Sequence, residues 1–239
     1  RRRIKHIKKM LLAAKNRYSL KDENLFLFPN WVDTKFLKPA KGKHQLRAKW
    51  GLNEHDVVVM YSGNLGNKQG LDTIPKLAEF FAQNKRIKFV VVGKGSFRET
   101  LESAAEELPN LFVFDLLPYD MLPALLNSAD IHLVIQRREF SDLVMPSKLT
   151  SILSCGANAI VTADPDTELG SIAKIFPGIY KLIEPDNLHA LTNAISDMTS
   201  DTQLAKHNEI ARAYAENHLD KEIVLSTFVS DVEEFLESQ

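Results

Sequence analysis

The run Val57-Val58-Val59-Met60-Tyr61 constrains the fold more than any other stretch. It offers no polar face to leave in water, so it reads as a strand buried on both sides. Strands of that kind belong in parallel sheets covered by helices on both faces. The run is also not isolated. Phe89–Val92, Leu111–Phe114, Ile131–Ile135, Ala159–Thr162 and Ile179–Leu182 read as further strands. Between them the apolar positions recur at helical spacing, as at Leu71, Ile74, Leu77 and Ala78. Helices are predicted over 96–107, 118–127, 146–155 and 165–175, and then over 186–199, 201–217 and 220–237. Strands alternating with helices of this length make βαβ units. The predicted class is therefore α/β, a Rossmann-like doubly wound parallel sheet with added helices at both ends. A helix ending near Tyr18, a short strand Leu25–Phe28, a turn at Pro29–Asp33 and a helix over 44–50 are expected before it.

Charge divides the chain unevenly. The net charge is −1, yet residues 1–50 hold 15 of the 30 lysines and arginines and only Asp22, Glu23 and Asp33 as acids. Arg1, Arg2, Arg3, Lys5, Lys8 and Lys9 interleave with Ile4, Ile7, Met10, Leu11 and Leu12, the pattern of a basic amphipathic helix. Two uses fit it: contact with an anionic membrane surface, or cover for a missing N-terminal domain. Nucleic acid fits less well, because no aromatic interleaving accompanies the charge. The expected organisation is a basic linker helix over 1–24, a ligand-binding domain over 25–200 and helices over 201–239 that pack back on it or toward the missing half. The first residue is an arginine, so the chain is expected to be a piece of a longer protein. Cys155 stands alone, which excludes an internal disulfide and a cysteine-based zinc site and fits a reducing, cytoplasmic setting. No apolar run reaches the roughly 18–20 residues of a membrane span.

In sheets of this class ligands bind beyond the carboxyl ends of the strands. The loops expected there are 63–70, 93–96, 115–118, 136–145 and 163–166. The first carries Gly63, Gly66 and Gly70, which let backbone approach a phosphate closely ahead of a helix. It is neither a G-x-G-x-x-G nor a Walker A sequence, so the NAD and ATP signatures are absent. Phosphorelay receivers need an acidic pair at a strand end, and none follows Met60. Met145-Pro146-Ser147-Lys148 reads as a loop turning into a helix, with Pro146 at the first helical position. Cations avoid the positive end of a helix, so a lysine in its first turn points to an anionic ligand; a solvated lysine on an ordinary helix is the competing reading. His132 lies inside a strand and is expected to be a packed core residue. The other histidines show no ligand spacing, which supports no metal site. Arg137-Arg138-Glu139 follows a strand end, where binding residues collect, with plain surface charge as the alternative. Cys155 is expected to be a small buried residue in the last turn of its helix.

Several motifs in order carry a resemblance. Phe28-Pro29-Asn30-Trp31-Val32-Asp33 resembles the "PNGVD" segment that opens the C-terminal domain of family 4 retaining glycosyltransferases. Tyr61–Leu71 resembles their first glycine-rich loop, and Val91-Val92-Gly93-Lys94-Gly95 their "VGxG" turn. Ser128-Ala129-Asp130-Ile131 is similar to their "xADVxL" strand entry, and Pro146-Ser147-Lys148-Leu149 with Gly156 to their "PSKxxE…G" helix. The nearest-looking branch is that of bacterial polysaccharide transferases of the colanic-acid type. The resemblance spans roughly residues 25–200 and implies a GT-B fold, in which two Rossmann-like domains face each other across a cleft. The C-terminal domain then holds a nucleotide diphosphate-sugar, UDP- or GDP-linked, for retaining transfer without an essential metal or other cofactor. The residues this assigns to the donor are Gly63, Asn64, Leu65, Gly66, Lys68, Gly93, Lys94, Pro146, Ser147, Lys148, Leu149 and Ser151.

The departures from the family pattern fall on the sugar side. The paired glutamates of the family, eight positions apart, correspond here to Leu143 and Ser151; Asp142 and Glu139 are the neighbouring candidates for catalytic carboxylates. The family's arginine and lysine for the diphosphate fall on Asn64 and Gln69, with Lys68 displaced by one. The implied partners are the donor, a saccharide or lipid-linked acceptor in surface polysaccharide synthesis, the missing N-terminal domain and the cytoplasmic face of the inner membrane. The isolated chain is expected to be inactive. The alternatives are a non-catalytic nucleotide-sugar-binding or assembly module and, less in keeping with the motifs, a sugar-nucleotide epimerase.

Overall fold

The computed structural model describes residues 15, 17, 18, 28–40, 45–140, 145–200, 204 and 207–237. The basic stretch 1–14, the predicted strand residues 25–27, Asp142, Leu143 and most of 201–206 lie outside them. The described elements are α1 (Gln45–Lys49), β1 (Val57–Asn64), α2 (Thr73–Phe80), β2 (Ile87–Lys94), α3 (Arg98–Glu107), β3 (Leu111–Phe114), α4 (Leu122–Asn127) and β4 (Ile131–Val134). They continue as α5 (Ser147–Ser154), β5 (Ala159–Thr162), α6 (Glu168–Ile175), β6 (Lys181–Ile183), α7 (Leu188–Ser200), α8 (Glu209–Tyr214) and α9 (Lys221–Glu237).

The strands form one six-stranded sheet in the order β3-β2-β1-β4-β5-β6, every pairing parallel. The order reverses between β1 and β4, so the two halves of the doubly wound sheet meet there. β1 pairs with β2 along its whole length, from Val57↔Ile87 to Asn64↔Lys94. Against β4 it pairs only at Val59↔Ile131 and Met60↔His132. Beyond Met60 the two central strands have no ladder between them, and a crevice opens at the switch point.

Period-two alternation sends the side chains of β1 to opposite layers. Val57, Val59 and Tyr61 pack with Ile74, Leu77 and Ala78 of α2 and Leu191, Ala194 and Ile195 of α7. Val58 and Met60 pack with Val90, Val92, Leu46 and Leu125 on the other face. A third cluster joins Leu149, Ile152 and Leu153 of α5 to Val134, Val161, Ala211, Tyr214 and Val32. Because both faces are covered, the strands need no polar alternation, and that is why they read as continuous apolar runs.

The C-terminal helices grip the sheet domain. Asn208 caps α8 by accepting from Ala211 N at 2.9 Å, and Arg212 on α8 reaches the last turn of α5. Its guanidinium donates to Ser154 O at 2.5 Å, Leu37 O at 2.9 Å and Thr34 O at 3.1 Å. Val32 bridges Asp220, with Val32 N donating to Leu219 O at 2.8 Å and Lys221 N to Val32 O at 2.9 Å.

Several boundaries differ from the sequence reading. β1 and β2 run on through Gly63 and Gly93, which are strand residues and not loop residues. Pro146 is the residue before α5 and not its first helical position: its ψ of 128° is extended, and Leu149 N closes the first turn on Pro146 O at 2.9 Å. A proline disfavours the helical region for the residue before it but fits either side of a helix start itself. The helix expected over 201–217 is α8 followed by a π-helical turn, Ala215–Leu219. The helix expected over 118–127 is a 3₁₀ turn, Tyr119–Met121, followed by α4.

Candidate functional site

Lys148 occupies the first turn of α5, as its motif required, and its position there is unusual. The ammonium Nζ lies 3.7 Å from the centre of the Tyr61 ring and is buried with no hydrogen-bond partner among the described residues. Burial without a carboxylate partner pulls its pKa down from 10.5 to about 7. The Tyr61 ring is itself immobilised: it is 1% exposed, and its hydroxyl donates to Asn64 O at 2.8 Å. Burial pushes the Tyr61 phenol upward, so it stays neutral beneath the lysine.

Around this pair lies a cavity of about 290 Å³ lined by Tyr61, Gly63, Asn64, Gln69, Ile135, Gln136, Pro146, Ser147 and Lys148. It fills the crevice left where β1 and β4 part. Its floor is the end of β1 and its wall is the amino-terminal turn of α5, whose free amides and dipole favour negative charge. Gln69 Oε1 is a second buried atom without a hydrogen-bond partner among the described residues. Buried polar atoms are nearly always paired, so two orphans on one cavity wall mark a place built for a polar ligand. Among the described residues, no carboxylate lines it.

The residues assigned from sequence separate into groups. Gly63, Asn64, Pro146, Ser147 and Lys148 line the cavity. Gly66 sits against it: a Cβ built there would lie 3.0 Å from Gln69 Oε1. Gly93 is buried behind Gly63, and Leu65 and Leu149 are fully buried core residues. Lys68 and Lys94 are exposed and do not line the cavity, whereas Ser151 is half-buried within α5. Glu139 is exposed in a 3₁₀ turn, Arg138–Phe140. Tyr61, Ile135 and Gln136 also line the cavity; the sequence reading put Tyr61 in the glycine-rich stretch and Gln136 in a crevice loop but singled out none of the three as a ligand residue. The signal for Tyr61 was its place as the last large residue before Gly63, at the mouth of a central strand.

The loop that follows β4 is tied to its neighbours on both sides. Gln136 N donates to Thr162 Oγ1 at 2.8 Å, and Arg137 pairs with Asp72 at 2.8 Å while donating to Asn67 O at 3.2 Å. Arg138 pairs with Asp164 at 2.6 Å and Glu184 at 3.1 Å, and its backbone N donates to Asp186 Oδ2 at 3.0 Å. His132 is a core residue: it is 1% exposed, Nε2 lies 2.9 Å from Leu126 O, and burial lowers its pKa to about 4. Among the described residues, no three metal-ligating side chains cluster and no helix is long and apolar enough to cross a membrane.

Comparison with known proteins places this geometry. Residues 42–218 match the family described as glycosyl transferases group 1. The chain is 42% identical over 214 residues to the Escherichia coli (strain K12) protein named for colanic acid biosynthesis as glycosyl transferase WcaI, a match covering 88% of this chain and 52% of that one. It thus spans about half the length of that curated relative. Among solved structures, sucrose-phosphate synthase from Thermosynechococcus elongatus superposes with a TM-score of 0.77 at 17% identity, covering 96% of this chain and 57% of that one. The Anabaena protein HepE, solved with UDP-glucose, superposes with a TM-score of 0.74 at 16% identity, covering 93% of this chain and 61% of that one. These structural likenesses show the α/β fold, and the family match with the WcaI identity shows that the chain belongs to the group 1 glycosyl transferases, of GT-B type.

Proposed function

We propose that this chain binds a nucleotide diphosphate-sugar, UDP- or GDP-linked, in the crevice between β1 and α5. One observation carries the reading. The Lys148 ammonium is buried in a cavity without a counter-ion among the described residues, at the positive end of a helix, and a diphosphate is the ligand that resolves both costs. That HepE was solved with UDP-glucose in the same fold supports the choice of ligand class. Charge accumulates on the diphosphate as the glycosidic bond to the sugar breaks, and Lys148 with the α5 amides stabilises that charge as it grows. Gly63 keeps the cavity floor free of side chain and leaves room for the phosphates.

In this reading transfer is of a hexosyl group with retention, the acceptor is a saccharide or lipid-linked saccharide of surface polysaccharide synthesis, and a second domain supplies the acceptor contacts. Asp142 and Glu139 remain the candidates for the sugar-handling carboxylates, and the basic segment 1–14 for contact with an anionic membrane face. Calorimetry with UDP, GDP and their hexose conjugates tests the binding. Micromolar to millimolar affinity for one of them is expected, falling at least tenfold in Lys148→Ala and about twofold in Lys68→Ala, because the exposed lysine is screened by water and salt. Absence of binding by every nucleotide would sink the reading.

A second reading rests on the absence of a carboxylate among the described residues of the cavity lining: a module that binds the nucleotide-sugar without catalysing transfer. The two separate in an assay of sugar transfer by the protein carrying its second domain. Transfer abolished by Asp142→Ala or Glu139→Ala supports the enzyme, and binding with no transfer supports the module.

A further inference from the structure

The contact between Tyr61 and Lys148 joins the two central elements of the crevice, and among the described residues no hydrogen-bond partner competes for the ammonium. Nζ sits 3.7 Å from the ring centre, well inside the reach of about 6 Å over which a ring face attracts a cation. Tyr61 is held in place, because its ring is 1% exposed within the core cluster that includes Leu65, Leu133 and Ile135, and its hydroxyl donates to Asn64 O. His132 on β4 couples electrostatically to the lysine, and burial keeps it neutral. The floor beside it is Gly63, where an added Cβ would stand 3.7 Å from Nζ.

We propose that Tyr61 is a positioning residue for Lys148, its ring face holding the ammonium so that the remaining N–H bonds point at the donor diphosphate. This rests on the donor-binding reading given above. An ammonium has three N–H donors and a four-carbon stem with many rotamers. Left alone at a helix N-terminus it would swing to solvent, where hydration is better and the dipole is weaker. The negative ring face offsets part of the lost hydration and fixes the direction of approach. The phosphates then meet a lysine already in place.

The test uses the 239-residue chain with its lysine ε-carbons labelled, the Lys148 signal being assigned by its loss in Lys148→Met. Three chains are compared, wild type, Tyr61→Phe and Tyr61→Leu, each checked for a cooperative thermal transition. Titration without nucleotide gives the Lys148 midpoint, and calorimetry with UDP gives the affinity. In Tyr61→Leu the midpoint falls below that of the wild type and UDP binds about tenfold more weakly, while Tyr61→Phe keeps both within about twofold. An unchanged Lys148 midpoint in a folded Tyr61→Leu chain overturns the proposal. So does a Tyr61→Phe chain as impaired as Tyr61→Leu, since the hydroxyl bond to Asn64 and not the ring would then be responsible. The titration needs no ligand. If neither UDP nor GDP binds the wild type, the donor reading falls, and the midpoint comparison still decides whether the ring holds the lysine; if only GDP binds, it replaces UDP in the affinity comparison.

Discussion

Gly63 and Gly93 face each other in register across β1 and β2, and a Cβ built on Gly93 would lie 2.0 Å from Gly63 O. The obstacle is backbone, so no rotamer change relieves it. Gly93→Ala is therefore expected to force the strands apart where the cavity floor lies, costing about 2–4 kcal/mol. Gly51 is the control. It has φ +70° but nothing within 4 Å of an added Cβ, so Gly51→Ala should cost only about 1 kcal/mol. Urea unfolding of the two variants checks both values, and equal losses would contradict the steric account.

Lys148 makes nucleotide binding depend on pH, and the sign follows from its pKa of about 7 in the empty site. A bound diphosphate favours the charged lysine and raises that pKa. Between the free and bound values, binding takes up a proton, so affinity falls as pH rises above 7, by up to about tenfold per unit. Calorimetry at pH 7, 8 and 9 should show this slope in the wild type and its loss in Lys148→Met. Folding of the ligand-free chain responds in the opposite sense. From pH 7 to 10.5 the folded lysine holds fewer protons than the unfolded one, so its contribution to stability grows as pH rises.

His132 sets an acid limit. Its folded pKa of about 4 lies below the 6.5 of an ordinary histidine, so between these values the unfolded chain binds more protons. The stability linked to neutral His132 is fully present above pH 6.5 and is lost as pH falls toward 4, amounting to about 3 kcal/mol. Urea midpoints at pH 7.5 and 4.5 measure it. The drop should be smaller in His132→Leu, which has nothing to protonate; an equal drop would assign the acid sensitivity to other groups.

Arg47 and Asp130 form an ion pair at 2.7 Å with side chains only 4% and 11% exposed. The same guanidinium donates to Ser128 O at 2.7 Å and Asp56 O at 3.1 Å, and Asp130 also accepts from Val58 N at 2.8 Å. Arg47→Met leaves a nearly buried carboxylate with no cation and only the Val58 N–H, strips two carbonyls of their donor, and should destabilise by about 3–5 kcal/mol. Arg47→Lys should recover little of this, because one ammonium cannot reach three diverging acceptors. Thermal melts of both variants provide the comparison.

Much of the fold was legible because burial on both faces writes itself into sequence as apolar runs such as Val57–Tyr61, and helical spacing fills the gaps. The strand ends were not legible. Gly63 and Gly93 look like turn residues locally, and only their pairing across two strands shows why glycine belongs within the strands. Lys148 stood out because a cation at a helix start breaks a local rule. Tyr61 broke none: an aromatic closing a strand is ordinary, and its role depends on a helix far along the chain. Gln69 stood in the sequence only as a departure from the family's lysine, and its unpartnered buried Oε1 is what places it at the cavity.

Arg212 closes on the Ser154 carbonyl, 58 positions earlier in the chain, at the far end of the helix that begins with Ser147 and Lys148. A helix of eight residues is roughly 12 Å long and too short to bend appreciably. Whatever tilts its last turn is delivered to its first, as at the two ends of a lever. Substitutions around Arg212, well outside the cavity, would thus imitate a lesion in the ligand site, and naturally occurring changes there are best scored by affinity as well as by melting temperature.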